Sequence, residues 1–223
     1  MVVTPEGPEA GGRGSAAGRA YAYVKERLLD GRFAGGTLLS ENDLAHRLGI
    51  SRTPVRQAFV QLEVEGLLEL YPRRGALVVP IAPSEADDVL EARLLIEEHC
   101  ARRVAAHAPA VVPALRASIA EQEAAAAADG AGFARADRAF HRLLVRANGN
   151  ELLTRQYDAL RDRHQRIAAT AIARDPSAIL GFIEEHRRIA AAIEARDPDA
   201  AAQLTATHLV NAHALARGPR GGT

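Results

Sequence analysis

The sequence predicts a mainly α protein in which an N-terminal winged helix-turn-helix is followed by a C-terminal all-helical bundle. Its 223 residues are enough for two domains that each bury a core. Three short helical patterns and two β-prone runs occupy the first 80 or so residues, and only helical patterns follow Pro83. We therefore place the domain boundary near residue 82.

The composition excludes several classes of protein. Hydrophobic residues make up 48% of the chain, yet no apolar run approaches the ~18 residues of a membrane span. The single cysteine, Cys100, excludes an intramolecular disulfide, and the chain starts without the apolar stretch of a signal peptide. A net charge of zero argues against coating nucleic acid by bulk electrostatics. We expect a cytoplasmic protein that does not enter membranes.

The two ends of the chain resemble each other in composition. Residues 1–16 are rich in Gly, Pro, Ala and Glu and show no apolar periodicity, so we expect a disordered tail. Residues 218–223 have the same character and predict a flexible tail. The winged helix-turn-helix then covers residues 17–82, and the helical domain covers residues 83–217.

Three helices are predicted in the N-terminal domain. The first covers residues 17–30, because Ala20, Tyr21, Val24 and Leu28 recur at helical spacing before Gly31. The second covers residues 41–48, where Ser40 and Asp43 have the form of a capping box and Gly49 ends the helix. In the third, Ser51 provides a cap, Pro54 is tolerated in the first turn, and the buried stripe is Val55, Phe59 and Leu62.

A β-hairpin follows the third helix. Residues 67–71 and 76–79 are β-prone and flank the turn 72–75, which contains a glycine. After Pro83 the pattern is helical and is interrupted near residues 108–113, 129–132, 148–150, 175–177 and 197–199. Five interruptions predict about six helices. The middle one, Asn148-Gly149-Asn150, reads as a helix stop and a new N-cap.

Polar side chains at the start of the third helix suggest DNA binding. In a winged helix-turn-helix this helix enters the major groove, and four side chains there lie off the apolar stripe: Arg52, Thr53, Arg56 and Gln57. The planar fork of arginine matches two acceptors of guanine, and Gln57 suits an adenine or a phosphate. At the hairpin tip, Arg73, Arg74 and Gly75 could enter the minor groove. The alternative is that these arginines form a solvated helix face.

A candidate metal site is spread over three predicted helices of the second domain. Asp137 and His141 are four residues apart, so their side chains project together. His186 and His208 lie on later helices that also carry apolar stripes. Three imidazoles and a carboxylate are suitable ligands for a divalent transition ion. The alternative for any single histidine is a hydrogen-bonded polar group without a metal.

The N-terminal motifs resemble the DNA-binding domain of the GntR family of transcription regulators. The resemblance rests on residues 39–45, 48–58 and 62–67. It implies that Arg52 and Arg56 contact DNA, with Thr53 beside them and Gly75 in the wing. Asn42 stands where relatives often have arginine, which puts a contact at that position in doubt.

The second half of the chain resembles the FCD domain of FadR-type GntR regulators. The matching stretches are 91–97, 137–141, 148–150, 185–186 and 208–209. The resemblance implies a metal held by Asp137, His141, His186 and His208, with zinc as our first choice and nickel or manganese as alternatives. It also implies that Arg93 holds the carboxylate of a small effector. A pair between Arg93 and Glu97, four residues on, is the competing role.

Together these features predict a regulator, not an enzyme. We expect a homodimeric repressor or activator on palindromic double-stranded operator DNA, because one winged helix covers only a half-site. A small carboxylate would control its affinity. Two alternatives remain, a metal-dependent hydrolase built on the helical bundle and a regulator whose helical domain is a metal-free dimerisation module.

Overall fold

A computed structural model describes residues 14–128 and 132–217 and divides the chain near residue 80 into two compact units. The tails predicted at residues 1–16 and 218–223 lie outside the described residues, except for residues 14–16. Ala16 already belongs to the first helix, so the helix begins one residue earlier than expected. Within the described ranges, no helix combines the length and the apolar character that crossing a membrane requires.

The N-terminal unit is a winged helix-turn-helix, as the sequence predicts. Its helices are α1 (Ala16–Leu29), α2 (Glu41–Leu48) and α3 (Arg52–Val64), and its strands are β1 (Leu38–Leu39), β2 (Leu68–Tyr71) and β3 (Gly75–Val78). The β2–β3 hairpin is confirmed, and β1 pairs antiparallel with the other side of β3. The sequence analysis missed β1 because two residues are too short to show strand alternation.

A side-chain capping hydrogen bond marks the start of α2, whereas α3 begins without one. The backbone N–H of Asp43 donates to the Ser40 side chain over 3.3 Å, and Gly49 ends α2 in the left-handed conformation at φ 64°. Ser51 occupies the N-cap position of α3 as predicted, but its side chain makes no capping hydrogen bond. Capping side chains bond the second or third helical N–H, and the third residue of α3 is Pro54, which has none.

The C-terminal unit is all helical in its described part. It contains α4 (Pro83–His107), a 3-10 turn (Pro109–Val111), α5 (Val112–Ala128), α6 (Phe133–Ala147), α7 (Glu151–Ala159), α8 (Arg161–Arg174), α9 (Ala178–Glu194) and α10 (Pro198–Arg217). The sequence analysis expected one helix after residue 150, but the structure breaks it at Leu160. Neither glycine nor proline marks this break, so the sequence carried no signal for it. Asn150 caps α7 as predicted.

Each of the two units has an apolar core of its own. In the N-terminal unit the stripe of α3, Val55, Phe59 and Leu62, is buried against α1 and the sheet. In the C-terminal unit α10 packs against α4, α8 and α9, and α5 packs against α6 and α9. The largest cluster is formed by residues of α4, α5, α6, α9 and α10. This packing brings the inner faces of α6, α9 and α10 together.

Gly75 provides a test of the strand arrangement. A Cβ at this position would lie 2.1 Å from the carbonyl oxygen of Leu39. The φ of Gly75 is 116°. At Gly66, where φ is 73°, a Cβ would meet nothing within 4 Å. We expect Gly66→Ala to lower the free energy of unfolding by about 1 to 2 kcal/mol through backbone strain alone. Gly75→Ala should cost at least about 1 kcal/mol more, because β1 must also move.

Urea denaturation, with a probe for the N-terminal unit, measures both changes. Equal losses for the two variants would show that β1 does not approach Gly75 closely.

Candidate metal centre and nucleic-acid interface

The four predicted metal ligands lie together inside the helical unit. Asp137 and His141 come from α6, His186 from α9 and His208 from α10, and each is at most 5% exposed. Their possible ligand atoms all lie within 4.8 Å of one another. The three Nε2 atoms form a triangle with sides of 3.1 to 3.2 Å. Asp137 Oδ1 lies 3.6 Å from Nε2 of His186 and 3.7 Å from Nε2 of His141.

Each imidazole is oriented by an oxygen on its other ring nitrogen. Nδ1 of His141 lies 2.6 Å from Glu97 Oε2, and Nδ1 of His208 lies 2.6 Å from Glu185 Oε2. Nδ1 of His186 lies 2.7 Å from Gln122 Oε1. A carboxylate or amide oxygen only accepts hydrogen bonds, so each Nδ1 must carry the proton. The three Nε2 atoms therefore converge on one point, and each ring in its neutral form directs an Nε2 lone pair there.

This arrangement fits a bound cation. Three lone pairs only 3.1 to 3.2 Å apart repel one another unless a positive group lies between them. The Asp137 carboxylate adds a fourth donor. Three imidazoles and a carboxylate suit a divalent transition ion, and the oxygen on each Nδ1 is the usual support of such a ligand. Gln122 keeps its Oε1 on Nδ1 of His186, although its buried Nε2 then has no hydrogen-bond partner among the described residues.

Most of the charge states also suit metal binding. Burial, reinforced by the neighbouring imidazoles, holds the pKa of His186 well below its ordinary value, and burial also lowers the pKa of His208. Burial opposes the charged form of His141, but the carboxylates of Glu97 and Asp137 together outweigh it and raise that pKa. Burial would raise the pKa of Asp137, yet the surrounding histidines hold it well below its usual range. Asp137 is therefore an anion at neutral pH.

Arg93 both pairs with Glu97 and faces a cavity. Its Nε donates to Glu97 Oε1 over 2.7 Å, so the competing role from the sequence is present, although the pair is buried and not exposed. Tyr157 donates to the same oxygen over 2.9 Å. Nη2 of Arg93 is buried and has no hydrogen-bond partner among the described residues. The Nη2 group therefore has N–H donors for which the described residues provide no acceptor.

The cavity adjoins the metal-ligand cluster. Its volume is about 30 Å³, and its lining includes Arg93, Asp137, His164 and His208. The sequence analysis left His164 unassigned, yet its Nε2 lies 3.3 Å from Asp137 Oδ2. Burial, helped by the charge of Arg93, lowers the pKa of His164 to about 4, so the ring is neutral at pH 7. Glu97, Gln122 and His164 were missed as site residues because they lie on helices whose packing the sequence does not reveal.

The predicted DNA-reading residues are exposed at one end of α3. Arg52, Thr53, Arg56 and Gln57 all face solvent, while Val55 and Phe59 between and after them are buried. Nη2 of Arg52 lies 3.1 Å from Glu41 Oε2 in an exposed ion pair. Such a pair is worth less than about 1 kcal/mol, so it leaves Arg52 able to exchange partners.

The turn between β2 and β3 presents two further arginines. Arg73 and Arg74 are exposed, and Arg73 adopts the left-handed conformation at φ 63°. Gly75 has a packing reason of its own, the close approach of Leu39, so its identity needs no nucleic acid to explain it. Asn42 is exposed on α2.

Comparison with known proteins agrees with both halves of this description. Residues 16–78 match the family described as bacterial regulatory proteins, gntR family, and residues 88–211 match the FCD domain. The HTH-type transcriptional regulator in the TAR-I ttuE-ttuC' intergenic region of Agrobacterium vitis is 33% identical over 144 residues, which cover 61% of this chain and 84% of that protein.

Two other matches are more distant. The Paenarthrobacter nicotinovorans protein named "Probable D-xylose utilization operon transcriptional repressor" is 32% identical over 149 residues, 66% of each chain. The crystal structure of a GntR transcriptional regulator from Rhodococcus sp. RHA1 superposes with a TM-score of 0.72 at 23% identity, covering 92% of this chain and 98% of that one, and supports the fold alone. Since the FCD match spans more than half of the chain, the protein belongs to the GntR family of bacterial transcriptional regulators, with an FCD domain as its C-terminal half.

Proposed function

We propose that this regulator binds operator DNA as a homodimer and that a small carboxylate, held beside a divalent metal ion in the FCD domain, controls its DNA affinity. Asp137, His141, His186 and His208 would hold the ion, with zinc as the first choice and nickel or manganese as alternatives. Arg93 would bind the carboxylate. The observation that carries the proposal is that Arg93, whose Nη2 has no hydrogen-bond partner among the described residues, lines the same cavity as Asp137 and His208.

Electrostatics make the effector's binding dependent on the metal. At this end of the cavity Arg93 carries one positive charge, while Asp137 and Glu97 each carry a negative charge, because their pKa values are lowered. His164 and His186 are neutral at pH 7. Only Arg93 and the imidazole of His141, whose pKa is raised, oppose these two negative charges, so the side chains alone give a carboxylate no net attraction. A divalent ion would supply two positive charges and an open coordination position for a carboxylate oxygen.

DNA recognition is proposed for the exposed arginines of the N-terminal unit. Arg52 and Arg56, with Thr53 and Gln57, would read the major groove, and Arg73 and Arg74 would reach the adjacent minor groove. A palindromic operator would match the two-fold symmetry of a dimer. The exposed ion pair of Arg52 with Glu41 would give way to DNA.

A hydrolase is not favoured by the surroundings of the histidines. Glu97 uses both carboxylate oxygens, for Arg93, Tyr157 and His141. Glu185 also uses both, for His208 and Asn211. Neither is placed as a general base for an attacking water. A metal-free dimerisation module is not favoured either, because the three converging Nε2 atoms would then have no metal ion between them.

The recognition helix can be tested with single substitutions. Arg52→Ala and Arg56→Ala should each weaken binding to a palindromic operator, selected from random DNA, by about 1 to 3 kcal/mol if the arginine reads a guanine. The loss should be smaller on random DNA. Arg116→Ala, an exposed arginine of the helical unit, should change neither affinity. Electrophoretic mobility shift titrations measure the changes, and equal losses on both DNAs would identify a phosphate contact instead.

Metal removal should destabilise the helical unit. The unfolded chain has no preformed site, so binding energy appears as folding stability, about 2.7 kcal/mol at a free metal concentration a hundredfold above Kd. Chelation should therefore lower the melting temperature of the wild type. His208→Ala should melt low with or without chelator, whereas His99→Ala, an exposed histidine of the same unit, should behave like the wild type. Metal analysis must accompany the melting curves.

A wild type that takes up neither zinc, nickel nor manganese and melts identically with and without chelator would disprove the site.

Arg93→Lys separates the two roles of Arg93. Lysine can keep an ion pair with Glu97 but lacks the second arm of the guanidinium fork. The variant should stay folded and bind acetate about 1.5 to 3 kcal/mol more weakly, the usual worth of a charge-assisted hydrogen bond. Arg103→Lys, an exposed position on the same helix, is the matched control. Isothermal calorimetry on metal-loaded protein measures the affinities, and unchanged acetate binding in Arg93→Lys would restrict Arg93 to the pair with Glu97.

A further inference from the structure

We propose that the effector is a short carboxylic acid with an apolar tail, and not a sugar acid or another polyhydroxylated acid. This inference rests on the proposed function, because it assumes that the cavity beside the metal ligands is the effector site. The chemistry of the cavity wall carries it. The wall is polar at one end and almost wholly apolar elsewhere.

The polar lining is concentrated around Asp137. His164 approaches Asp137 Oδ2 to 3.3 Å, and His208 belongs to the metal-ligand cluster with Asp137. Arg93, whose buried Nη2 has no hydrogen-bond partner among the described residues, lines the same cavity. These groups can satisfy one carboxylate group. Little hydrogen-bonding capacity remains beyond that point.

The rest of the wall consists of aliphatic and aromatic side chains from five helices. Val89 of α4 and Ile167 of α8 are buried in one apolar cluster, Phe133 of α6 and Phe182 of α9 are buried in another, and Leu209 of α10 is buried beside His208. Among the described side chains that line the cavity, none carries a hydroxyl or a carboxamide group. The wall therefore offers no partner for hydroxyl groups along a ligand chain.

His213 is the one polar side chain of the lining outside the cluster around Asp137. Its Nε2 lies 2.8 Å from Asp87 Oδ1, and Asp87 also accepts from Arg217 over 2.8 and 2.9 Å. Nε2 of His213 is therefore already engaged with Asp87, and a ligand hydroxyl that used this nitrogen would have to break that hydrogen bond.

Size favours a short chain. The cavity measures about 30 Å³, well below the roughly 300 to 1,000 Å³ of typical small-molecule pockets. A space of this size suits a carboxylate with a short tail. Each buried methylene improves binding, whereas each hydroxyl buried without a partner weakens it by roughly tenfold or more. A four-carbon acid without hydroxyls is the natural probe.

The test compares butyrate, racemic 3-hydroxybutyrate and gluconate by isothermal calorimetry on the full-length zinc-loaded protein. We expect butyrate to bind at least about tenfold more tightly than 3-hydroxybutyrate, and gluconate to show no measurable binding. If gluconate or 3-hydroxybutyrate binds as tightly as butyrate, the apolar class is wrong while the carboxylate-controlled function stands. If none of the three, nor acetate, binds to protein that contains the metal, the proposed function fails, and this inference fails with it.

A wall substitution shows whether the cavity itself makes the distinction. Val89→Thr places a hydroxyl in the wall at nearly constant volume, and Val89 is 4% exposed. It should weaken butyrate binding about fivefold or more and narrow the ratio of butyrate to 3-hydroxybutyrate affinities. Val112→Thr, at a core position that is 5% exposed and is not part of the described cavity lining, should leave both affinities unchanged.

Val89→Ala covers the case in which threonine disturbs folding. It widens the cavity but keeps the wall apolar, so it should keep the preference for butyrate and improve binding of the longer acid hexanoate. Butyrate affinity that is unchanged in both Val89 variants would place the carboxylate site elsewhere and overturn the inference.

Discussion

Three hydrogen bonds on the Nδ1 atoms of His141, His186 and His208 orient these three imidazole rings at the centre of the helical unit. They require acceptors on α4, α5 and α9 and rings on α6, α9 and α10, so five helices must pack in one arrangement for all three to form. Their common effect is to direct three Nε2 lone pairs at one point beside Asp137. Burying such a set is unfavourable without a cation, which is why we treat the cluster as a metal site and not as a polar core.

The proposed regulation follows from the same cluster. Glu97 joins His141, a proposed metal ligand, to Arg93, the proposed effector contact, and to Tyr157 of α7. A carboxylate effector would thus bind between two groups that already share one buried anion. Burial of Arg93 and Asp137 at this end of the cavity strengthens each charge interaction within it. Ligand selectivity would then depend on the wall, and affinity on the metal and Arg93.

The sequence predicted those parts of the structure that follow from local spacing. Asp137 and His141 are one helical turn apart. Ser40 and Gly49 mark the ends of α2, and Val55 and Phe59 mark the buried face of α3. Contacts between residues that are distant in the sequence could not be predicted in this way. Glu97 was considered only as a partner of Arg93 on its own helix, and Gln122 and His164 approach the histidines solely through tertiary contacts. The break at Leu160 also lacked a local signal, and the Ser51 side chain makes no capping hydrogen bond although Ser51 occupies the N-cap position of α3.

The central claim is that the three imidazoles are held as Nδ1–H tautomers with their Nε2 atoms aimed at one cation. Two-bond proton–nitrogen NMR of ¹⁵N-histidine-labelled protein, recorded before and after adding one equivalent of Zn²⁺, tests this directly, with single histidine variants providing the assignments. The account predicts that zinc shifts the Nε2 resonances of His141, His186 and His208 together while each Nδ1 keeps its proton. Zinc-bound Nδ1 atoms, or three rings that zinc leaves unchanged, would contradict it.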